Sequence, residues 1–309
     1  MHVLLTGSAG VVGSSTLAYF LEQGHKVTAL DIIPLPTIIT DTFPKGYEAN
    51  LNPYVIDLKD IRKLEAIIEE SIEKIGKFDG CVHIGGIPNP LSHEPTFVYN
   101  TNVTTNYNIL QTCVKYDIKR IVQATSVNGY GMSFCPPGHK YWDELPVTEQ
   151  TTPYPEDPYA TSKICCEIQA SAITRYYPEF RVASLRYHMC KPNYKDSSNF
   201  SRMQSLWGWV SLESCARAAL LGLTSQGWKG HETFILASND IVWDGNLDQT
   251  ERFTGEKVSS LDLLEYSWKG RYDESKLNRQ WWANNPRRGF WDTTKAQKVL
   301  GWSHDDNCP

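Results

Sequence analysis

Short apolar runs alternate with longer segments of helical periodicity over most of the chain, and this alternation limits the fold severely. The predicted strands are His2–Thr6, Lys26–Asp31, Tyr54–Asp57, Cys81–Ile84, Arg120–Thr125, Val182–Leu185 and Thr233–Leu236. The predicted helices are Gly13–Gln23, Lys59–Ile75, Asn102–Tyr116, Tyr159–Tyr177 and Leu212–Leu223. A helix between successive strands returns the chain to the same end of a sheet by a right-handed crossover. The sequence therefore predicts an α/β fold with a Rossmann-type, doubly wound parallel sheet of about seven strands.

A glycine-rich turn follows the first predicted strand and leads into the first helix. Its sequence is Gly7-Ser8-Ala9-Gly10-Val11-Val12-Gly13. Glycines there permit a tight turn and bring backbone N–H groups and a helix N-terminus against a pyrophosphate. Because any strand-to-helix turn can use glycine, this spacing alone also fits a purely structural turn.

Acidic and glycine residues after the next strands strengthen the cofactor interpretation. Asp31 ends the second strand, where a carboxylate accepts hydrogen bonds from an adenosine ribose and repels a 2′-phosphate, which favours NAD over NADP. An ordinary strand-end cap is the alternative for Asp31. Asp57-Leu58 is predicted to contact adenine, and Ile84-Gly85-Gly86 to permit close approach of the backbone to the cofactor.

A tyrosine and a lysine are spaced by one helical turn in Tyr159-Ala160-Thr161-Ser162-Lys163. A phenol with a pKa near 10 is a poor base, but a neighbouring ammonium and a positive nicotinamide both favour phenolate. We predict that Tyr159 exchanges a proton with a substrate hydroxyl while NAD takes the hydride. Ser126, at the end of the fifth strand, is predicted to hydrogen-bond the same hydroxyl.

The composition argues against several classes of protein. Thirty basic and 35 acidic residues give a net charge of −5, so we expect no nucleic-acid partner and no anionic membrane surface. Without a long apolar run or a secretory signal, we expect a cytoplasmic protein. The eight cysteines are scattered and are expected to be free thiols, with no metal site.

The chain resembles the extended short-chain dehydrogenase/reductase family, the NAD-dependent epimerase/dehydratase group. The resemblance covers Met1 to about Leu223 and rests on the Gly7/Gly10/Gly13 turn, Asp31, Asp57, Asn102-Val103, Ser126, Tyr130-Gly131, Tyr159 with Lys163, and Leu185-Arg186. It implies that Tyr159 is the acid/base, that Lys163 holds the nicotinamide ribose, and that Ser126 orients the substrate. It also implies that Asn102 supports a water near the site, for which a helix cap or a satisfied helix-face amide is the alternative.

Within this family the chain is similar to uronate dehydrogenases, which oxidise C1 of a free hexuronate. By that likeness Arg186 would clamp a substrate carboxylate and Asn128 would bind a sugar hydroxyl. Pro88 stands where a substrate-contacting serine would lie. His188 is a candidate polar contact, with a satisfied core histidine as its alternative. The short connection after Arg186 argues against a nucleotide-linked sugar, and Val127-Asn128 argues against dehydration.

The expected activity is NAD-dependent hydride transfer at a hydroxyl-bearing carbon of a small sugar acid or similar polar alcohol. An epimerase that retains its cofactor is the main alternative; a non-catalytic NAD-binding regulator and a reductase of a non-sugar ketone are lesser ones. The resemblance also implies that the helices Asn102–Tyr116 and Tyr159–Tyr177 pair across a homodimer, although the face of Cys165 and Ile168 suits a core equally well.

The domain organisation follows from where the regular alternation ends. Residues 1–186, with a contribution from 205–237, are predicted to form the NAD-binding domain. Residues 187–204 and 238–309 are predicted to form a small cap over the carboxyl edge of the sheet, where ligands bind in such folds. Near the end of the chain, Asp292 is predicted to begin a short helix and Gly301 to end it.

Overall fold

The computed structural model describes residues 1–136, 138–198, 203–243 and 258–304. The strands within these ranges are β1 (His2–Thr6), β2 (Lys26–Asp31), β3 (Leu51–Val55), β4 (Gly80–His83), β5 (Arg120–Ser126), β6 (Arg181–Tyr187), β7 (Cys190–Lys191), β8 (Val210–Ser211) and β9 (Gly230–Leu236). Seven of them form one sheet in the order β3-β2-β1-β4-β5-β6-β9, and every neighbouring pair is parallel. The doubly wound Rossmann-type sheet predicted from the sequence is therefore confirmed.

Helices on both faces connect these strands. They are α1 (Val11–Glu22), α2 (Thr37–Thr40), α3 (Ile61–Ile75), α4 (Pro95–Lys115), α5 (Pro158–Tyr176), α6 (Tyr194–Ser198), α7 (Leu212–Thr224) and α8 (Ser260–Trp268). Side-chain caps fix several of their first turns. Asp60 accepts a hydrogen bond from the N–H of Lys63, and Ser211 accepts one from the N–H of Ser214.

Strand β3 and helix α4 differ most from their predicted bounds, while the other predicted elements agree to within three residues at each end. β3 covers Leu51–Val55 and not Tyr54–Asp57, because it includes Asn52 and Pro53, which interrupt the apolar pattern. Since β3 is an edge strand, a proline that cannot donate to a ladder is tolerated there. Helix α4 begins at Pro95, well before the predicted start, with the proline in its first turn.

The sheet separates two apolar cores. On one face, α1 and α7 pack against alternate strand residues such as Val3 and Leu5. On the other face, α3, α4 and α5 cover the intervening residues, including Leu4. Because both faces are covered, the inner strands read as nearly continuous apolar runs.

A third core, rich in tryptophan, lies between the segment after β5 and the C-terminal third of the chain. Backbone bonds fasten residues 142–147 on both sides: the Trp142 N–H donates to Arg271 O at 3.0 Å, and the Val147 N–H to Phe290 O at 2.8 Å. The same segment accepts at Leu145 O from the Asn278 N–H at 2.9 Å. The predicted division at residue 186 stays a prediction, and the cap residues 199–202, 244–257 and 305–309 lie outside the described ranges.

The chain approaches its end in a short helical segment. Asp292 accepts a hydrogen bond from the N–H of Thr294, and a π-helical turn covers Ala296–Leu300. Gly301 follows with φ +72°, the left-handed conformation that glycine adopts without steric cost. The predicted stop at Gly301 is confirmed, whereas the helical segment begins at Thr294, two residues after Asp292.

Three further features bear on the sequence predictions. In the described part of the chain, no helix is both long and apolar enough to cross a membrane. Seven cysteines fall within the described ranges, and all are free. Ile168 on α5 is 60% exposed among the described residues, whereas Cys165 on the same face is half-buried; the homodimer stays a prediction.

Candidate active site

The glycine turn between β1 and α1 is packed so closely that side chains are excluded. Gly7 has φ +73°, and a Cβ built there would lie 2.6 Å from the backbone nitrogen of Gly85. A Cβ on Gly13 would lie only 1.8 Å from Gly7 O. The first turn of α1 can therefore approach β1 and the loop after β4 only with glycine at these two positions.

The N-terminus of α1 fits a pyrophosphate. Gly10 occupies the N-cap position, and no side chain among the described residues caps it. The N–H groups of Val11, Val12 and Gly13 therefore stand at the positive end of the helix without a side-chain acceptor from the described chain. Val11 is 66% exposed, which leaves this end of the helix open to a ligand.

Asp31 lies at the carboxyl end of β2, beside the glycine turn. Its Oδ2 accepts a hydrogen bond from the Ala9 N–H at 2.8 Å, and its Oδ1 accepts one from the Ile33 N–H at 3.2 Å. The carboxylate is therefore held at the turn, in the place predicted for the ribose contact. Asp57 is half-buried after β3 and accepts from the Lys59 N–H, while Leu58 beside it is buried.

The loop after β4 joins the glycine turn to the tyrosine and lysine. The Gly85 N–H donates to Thr6 Oγ1 at 3.2 Å, which holds the loop against β1. A Cβ on Gly86 would lie 3.8 Å from Lys163 Nζ and 3.0 Å from Asn102 Oδ1. Ile84, Gly85 and Gly86 therefore lie between the two predicted half-sites.

Asn102 on α4 fastens this loop to α5. Its Oδ1 accepts from the Ile87 N–H at 2.8 Å, and its Nδ2 donates to Ile87 O at 3.1 Å and to Ser162 Oγ at 3.0 Å. The side chain is buried. These bonds fit the satisfied helix-face amide, the alternative that the sequence leaves open.

Tyr159 and Lys163 are both buried in the first turns of α5. Lys163 Nζ donates to Ala124 O at 2.9 Å and lies 5.8 Å from the centroid of the Tyr159 ring. Burial raises the pKa of Tyr159 to about 12, although a hydrogen bond with Ser126 opposes this shift. Burial lowers the pKa of Lys163 from its usual value. Without a bound cation the phenol is therefore protonated, and it could serve as a base only with further positive charge nearby.

Ser126 and Asn128 are linked to the N-terminus of α5. Ser126 Oγ accepts from the Asn128 N–H at 3.1 Å, and Asn128 Nδ2 donates to Asp157 Oδ2 at 3.0 Å. Asp157 Oδ1 in turn accepts from the Ala160 N–H at 2.8 Å and caps the helix. Sequence reasoning missed Asp157, although an aspartate before Pro158 at the first helical position is a helix-start signal.

Arg186 on β6 is buried and already has a carboxylate partner. Its Nε donates to Glu167 Oε1 at 2.8 Å and its Nη2 to Glu167 Oε2 at 2.7 Å, while Nη1 donates to the Tyr130 hydroxyl. The guanidinium charge is therefore balanced inside the protein, and a substrate carboxylate would compete with Glu167. The carboxylate clamp stays a prediction that this geometry does not favour. Glu167 follows Tyr159 and Lys163 at intervals of four residues and therefore lies on the same face of α5. This spacing is the sequence signal that could have identified Glu167 as a residue of the site.

His188 lies buried in the core, and Pro88 lies in an exposed loop. Met189 N–H donates to His188 Nδ1 at 2.7 Å, and His188 Nε2 donates to Ser205 O at 3.0 Å. Burial lowers the pKa of His188 to about 4, so the ring is neutral near pH 7. This is the core histidine that the sequence allows as an alternative. Pro88 is exposed in the loop after β4. The substrate roles of both residues stay predictions.

A cavity of about 480 Å³ opens at the β2–β3 side of the sheet. Its walls include Ser8 of the glycine turn, Ile33 just after Asp31, and Tyr47, Leu51 and Val55. The cavity therefore lies on the Asp31 side of the glycine turn and includes neither Tyr159 nor Lys163.

Part of the chain is similar in sequence to proteins of known family. Residues 3–199 match the model of the NAD-dependent epimerase/dehydratase family. A UDP-glucose 4-epimerase of Caenorhabditis elegans is 30% identical over 196 residues, covering 60% of this chain and 53% of that protein. A Halalkalibacterium halodurans UDP-glucose 4-epimerase is 27% identical over 172 residues, 54% of this chain and 44% of the relative. The chain thus spans about half the length of the curated relatives it matches.

Solved structures extend the likeness of fold to nearly the whole chain. A Thermotoga maritima UDP-glucose 4-epimerase with UDP-glucose has a TM-score of 0.65 at 18% identity, covering 99% of this chain and 94% of the other. A mutated uronate dehydrogenase has a TM-score of 0.63 at 20% identity, covering 99% and 82%. At these identities the likeness concerns the fold alone.

Proposed function

Because this chain belongs to the NAD-dependent epimerase/dehydratase family and is an NAD-dependent enzyme of the extended short-chain type, we propose that it oxidises a hydroxyl-bearing carbon of a small polar alcohol, a free sugar acid in the first instance. Tyr159 would be the acid/base, Lys163 its electrostatic partner and Ser126 the group that orients the hydroxyl. NAD would be held by the glycine turn and by Asp31.

One observation carries this proposal: the continuity of the two half-sites through the β4 loop. The backbone of Gly85 lies against Gly7, and Gly86 lies beside the Lys163 ammonium. A dinucleotide with its pyrophosphate on the N-terminus of α1 and its ribose near Asp31 would extend past these glycines toward Lys163 and Tyr159. The reacting carbon would then lie next to the phenol.

The proton chemistry follows from burial and charge. When bound, NAD accepts hydride from the carbon that carries the hydroxyl. Tyr159, with its pKa raised to about 12 in the cofactor-free protein, needs added positive charge to lose its proton. The Lys163 ammonium already lies 5.8 Å from the ring centroid in this state, so the added charge would come from the nicotinamide of bound NAD. The Tyr159 phenolate then takes the hydroxyl proton, while Ser126 donates a hydrogen bond to the same oxygen.

The substrate class is supported by the short connection between β6 and α7. β7 and β8 pair within this connection and draw residues 190–191 against 210–211. Only a short chain therefore remains to surround a substrate on this side, which suits a small molecule better than a nucleotide-linked sugar. A carboxylate on that substrate would need a cation other than Arg186, or would need to displace Glu167 from it.

An epimerase that returns the hydride to the opposite face of the oxidised substrate is the second candidate. The observation in its favour is that the curated relatives named above are UDP-glucose 4-epimerases. Their similarity covers only 60% or less of this chain. The same Ser126, Tyr159 and Lys163 would serve both reactions.

The test mixes purified protein and added NAD with a panel of hexuronates, neutral aldoses and UDP-sugars, and follows NADH absorbance and product identity. NADH that accumulates with a free sugar, and is lost in Tyr159→Phe, supports the dehydrogenase. Inversion of a UDP-sugar without net NADH supports the epimerase. An active Tyr159→Phe variant would contradict both, because each needs the phenol as acid/base.

A further inference from the structure

A polar side-chain bridge joins the two segments that carry Ser126 and Tyr159. It consists of the Asn128 amide, on the turn Val127–Tyr130 after β5, and the Asp157 carboxylate at the N-terminus of α5. Their contact, Asn128 Nδ2 to Asp157 Oδ2 at 3.0 Å, is buried, with Asn128 6% and Asp157 8% exposed.

Each residue of the bridge makes a second hydrogen bond within the segment that carries one of the proposed reacting groups. At one end, the Asn128 N–H donates to Ser126 Oγ at 3.1 Å. At the other end, Asp157 Oδ1 accepts from the Ala160 N–H at 2.8 Å, in the helical turn that contains Tyr159. Loss of the contact between the two side chains would therefore free the turn that carries Ser126 to shift relative to the helical turn that carries Tyr159.

The backbone N–H of Asn128 also leaves the proton of the Ser126 hydroxyl available. Because Ser126 Oγ accepts a hydrogen bond from a backbone N–H, one of its lone pairs is occupied, and its own proton remains available for a neighbouring oxygen. That is the polarity that the proposed reaction needs, since Ser126 must donate to the substrate oxygen while Tyr159 removes its proton.

The surrounding backbone leaves little room for other arrangements. A Cβ on Gly129 would lie 2.6 Å from Ile164 Cδ1, so the turn packs directly on α5. The Tyr154 N–H donates to Gly129 O at 2.9 Å and fixes the turn from the other side.

We infer that Asn128 and Asp157 act together as positioning residues that set the separation and orientation of the Ser126 and Tyr159 hydroxyls. This inference rests on the proposed hydride transfer. It assigns Asn128 to a contact within the protein and not to a substrate hydroxyl, and it gives a role to Asp157, which lies outside the Tyr-x-x-x-Lys motif.

The test breaks the bridge from each side and then rebuilds it in reverse. Asp157→Ser keeps a good helix cap but is too short to reach Asn128. Asn128→Asp places two carboxylates against each other. The double exchange combines Asn128→Asp with Asp157→Asn. The amide oxygen at position 157 then accepts from the Ala160 N–H and caps the helix, while the amide nitrogen donates to the carboxylate at position 128. Thr161→Val, which removes a hydroxyl bond to the Asp157 carbonyl, is the matched control on the same helical turn.

We expect kcat to fall by about tenfold to a hundredfold in Asp157→Ser and Asn128→Asp, because a small misplacement of reacting groups costs that much, while KM changes by less than about threefold. The exchange should return kcat to within about fivefold of the unmodified enzyme, and Thr161→Val should leave it within about twofold. If Asn128→Asp raises KM with kcat unchanged, Asn128 is a substrate contact and the inference is wrong. An exchange variant no better than the single variants would also overturn it.

Hydrogen–deuterium exchange of the peptide that contains Val127–Tyr130 gives a readout independent of turnover. Both single variants should lose protection there, and the exchange variant should regain it. An unmodified enzyme inactive on every substrate would refute the proposed function, yet this pattern would still establish the bridge. Unchanged protection in both single variants would refute the bridge even in an active enzyme.

Discussion

The buried ion pair between Arg186 and Glu167 allows a prediction that separates a structural role from a role in substrate binding. Replacing Arg186 with methionine leaves a carboxylate that is 7% exposed and has lost two charge-assisted bonds, of 2.8 and 2.7 Å. Replacing Glu167 with leucine as well removes the orphaned charge and puts an apolar side chain in its place. Tyr130 keeps a partner in both variants, because its hydroxyl donates to Thr148 O.

The expected magnitudes follow from desolvation. A buried charge stripped of its partner costs about 3–5 kcal/mol of unfolding free energy, so Arg186→Met should be strongly destabilised. Replacing both members of a buried pair with apolar groups of similar size is often close to neutral, so the double variant should recover all but about 1–2 kcal/mol of that loss.

Urea unfolding followed by tryptophan fluorescence measures these free energies for the unmodified protein, both single variants and the double variant. The double variant, being folded, is then assayed for KM with a hexuronate and with the matching neutral aldose. If the ion pair is structural, the two KM values should change by a similar factor, since neither substrate loses a contact.

Two results would refute this reasoning. A loss of less than about 1 kcal/mol in Arg186→Met would mean that Glu167 does not depend on the guanidinium. A stable double variant whose KM rises only for the hexuronate would mean that Arg186 binds the substrate carboxylate, as the resemblance to uronate dehydrogenases implies.

Three more predictions concern the cofactor, the base and acid stability. Asp31→Ser should raise the affinity for NADP relative to NAD by about tenfold in calorimetric titrations, because it removes a carboxylate that repels a 2′-phosphate; an unchanged ratio would contradict the assignment. Lys163→Met should move the rising limb of the kcat/KM profile for oxidation about one to two pH units higher, because the Tyr159 phenolate loses its neighbouring cation; superimposable profiles would exclude that role. Burial lowers the pKa of His231 to about 4 from 6.5, so between these values the unfolded chain binds more protons and unfolding free energy falls as the pH falls. His231→Gln should reduce the pH dependence of the urea-derived free energy in this range by up to about 1.4 kcal/mol per pH unit, and an unchanged slope would mean that another group accounts for it.

The parts of the fold that could be predicted are those whose pattern is set by burial on both faces. β1 and β2 have their predicted bounds, because strands covered by helices on both sides are apolar throughout. β3 was misplaced because an edge strand tolerates a proline and polar residues. Residues 142–147 carry no strand signal, since their backbone partners are supplied by distant segments and not by a repeating local pattern.

The candidate site also has parts that the sequence predicts and parts that it does not. Tyr159, Lys163 and the glycine turn are recognisable because their spacing within one element fixes their geometry. The partners of Arg186 and His188 depend on how β6 meets α5 and the segment near Ser205, which is a tertiary property. The sequence can thus suggest that Arg186 binds a substrate, but only the packed structure shows that Glu167 already binds its guanidinium group.

The backbone hydrogen bonds between residues 142–147 and the C-terminal third constrain the order in which the chain can fold during synthesis. Trp142 pairs with Tyr272, and Val147 with Trp291, so these contacts join parts of the chain that leave the ribosome well over a hundred residues apart. The βα units of the first half can collapse earlier, since their contacts are more local. The wall that follows β5 would therefore be completed only after the last tryptophans of the third core have left the ribosome and docked.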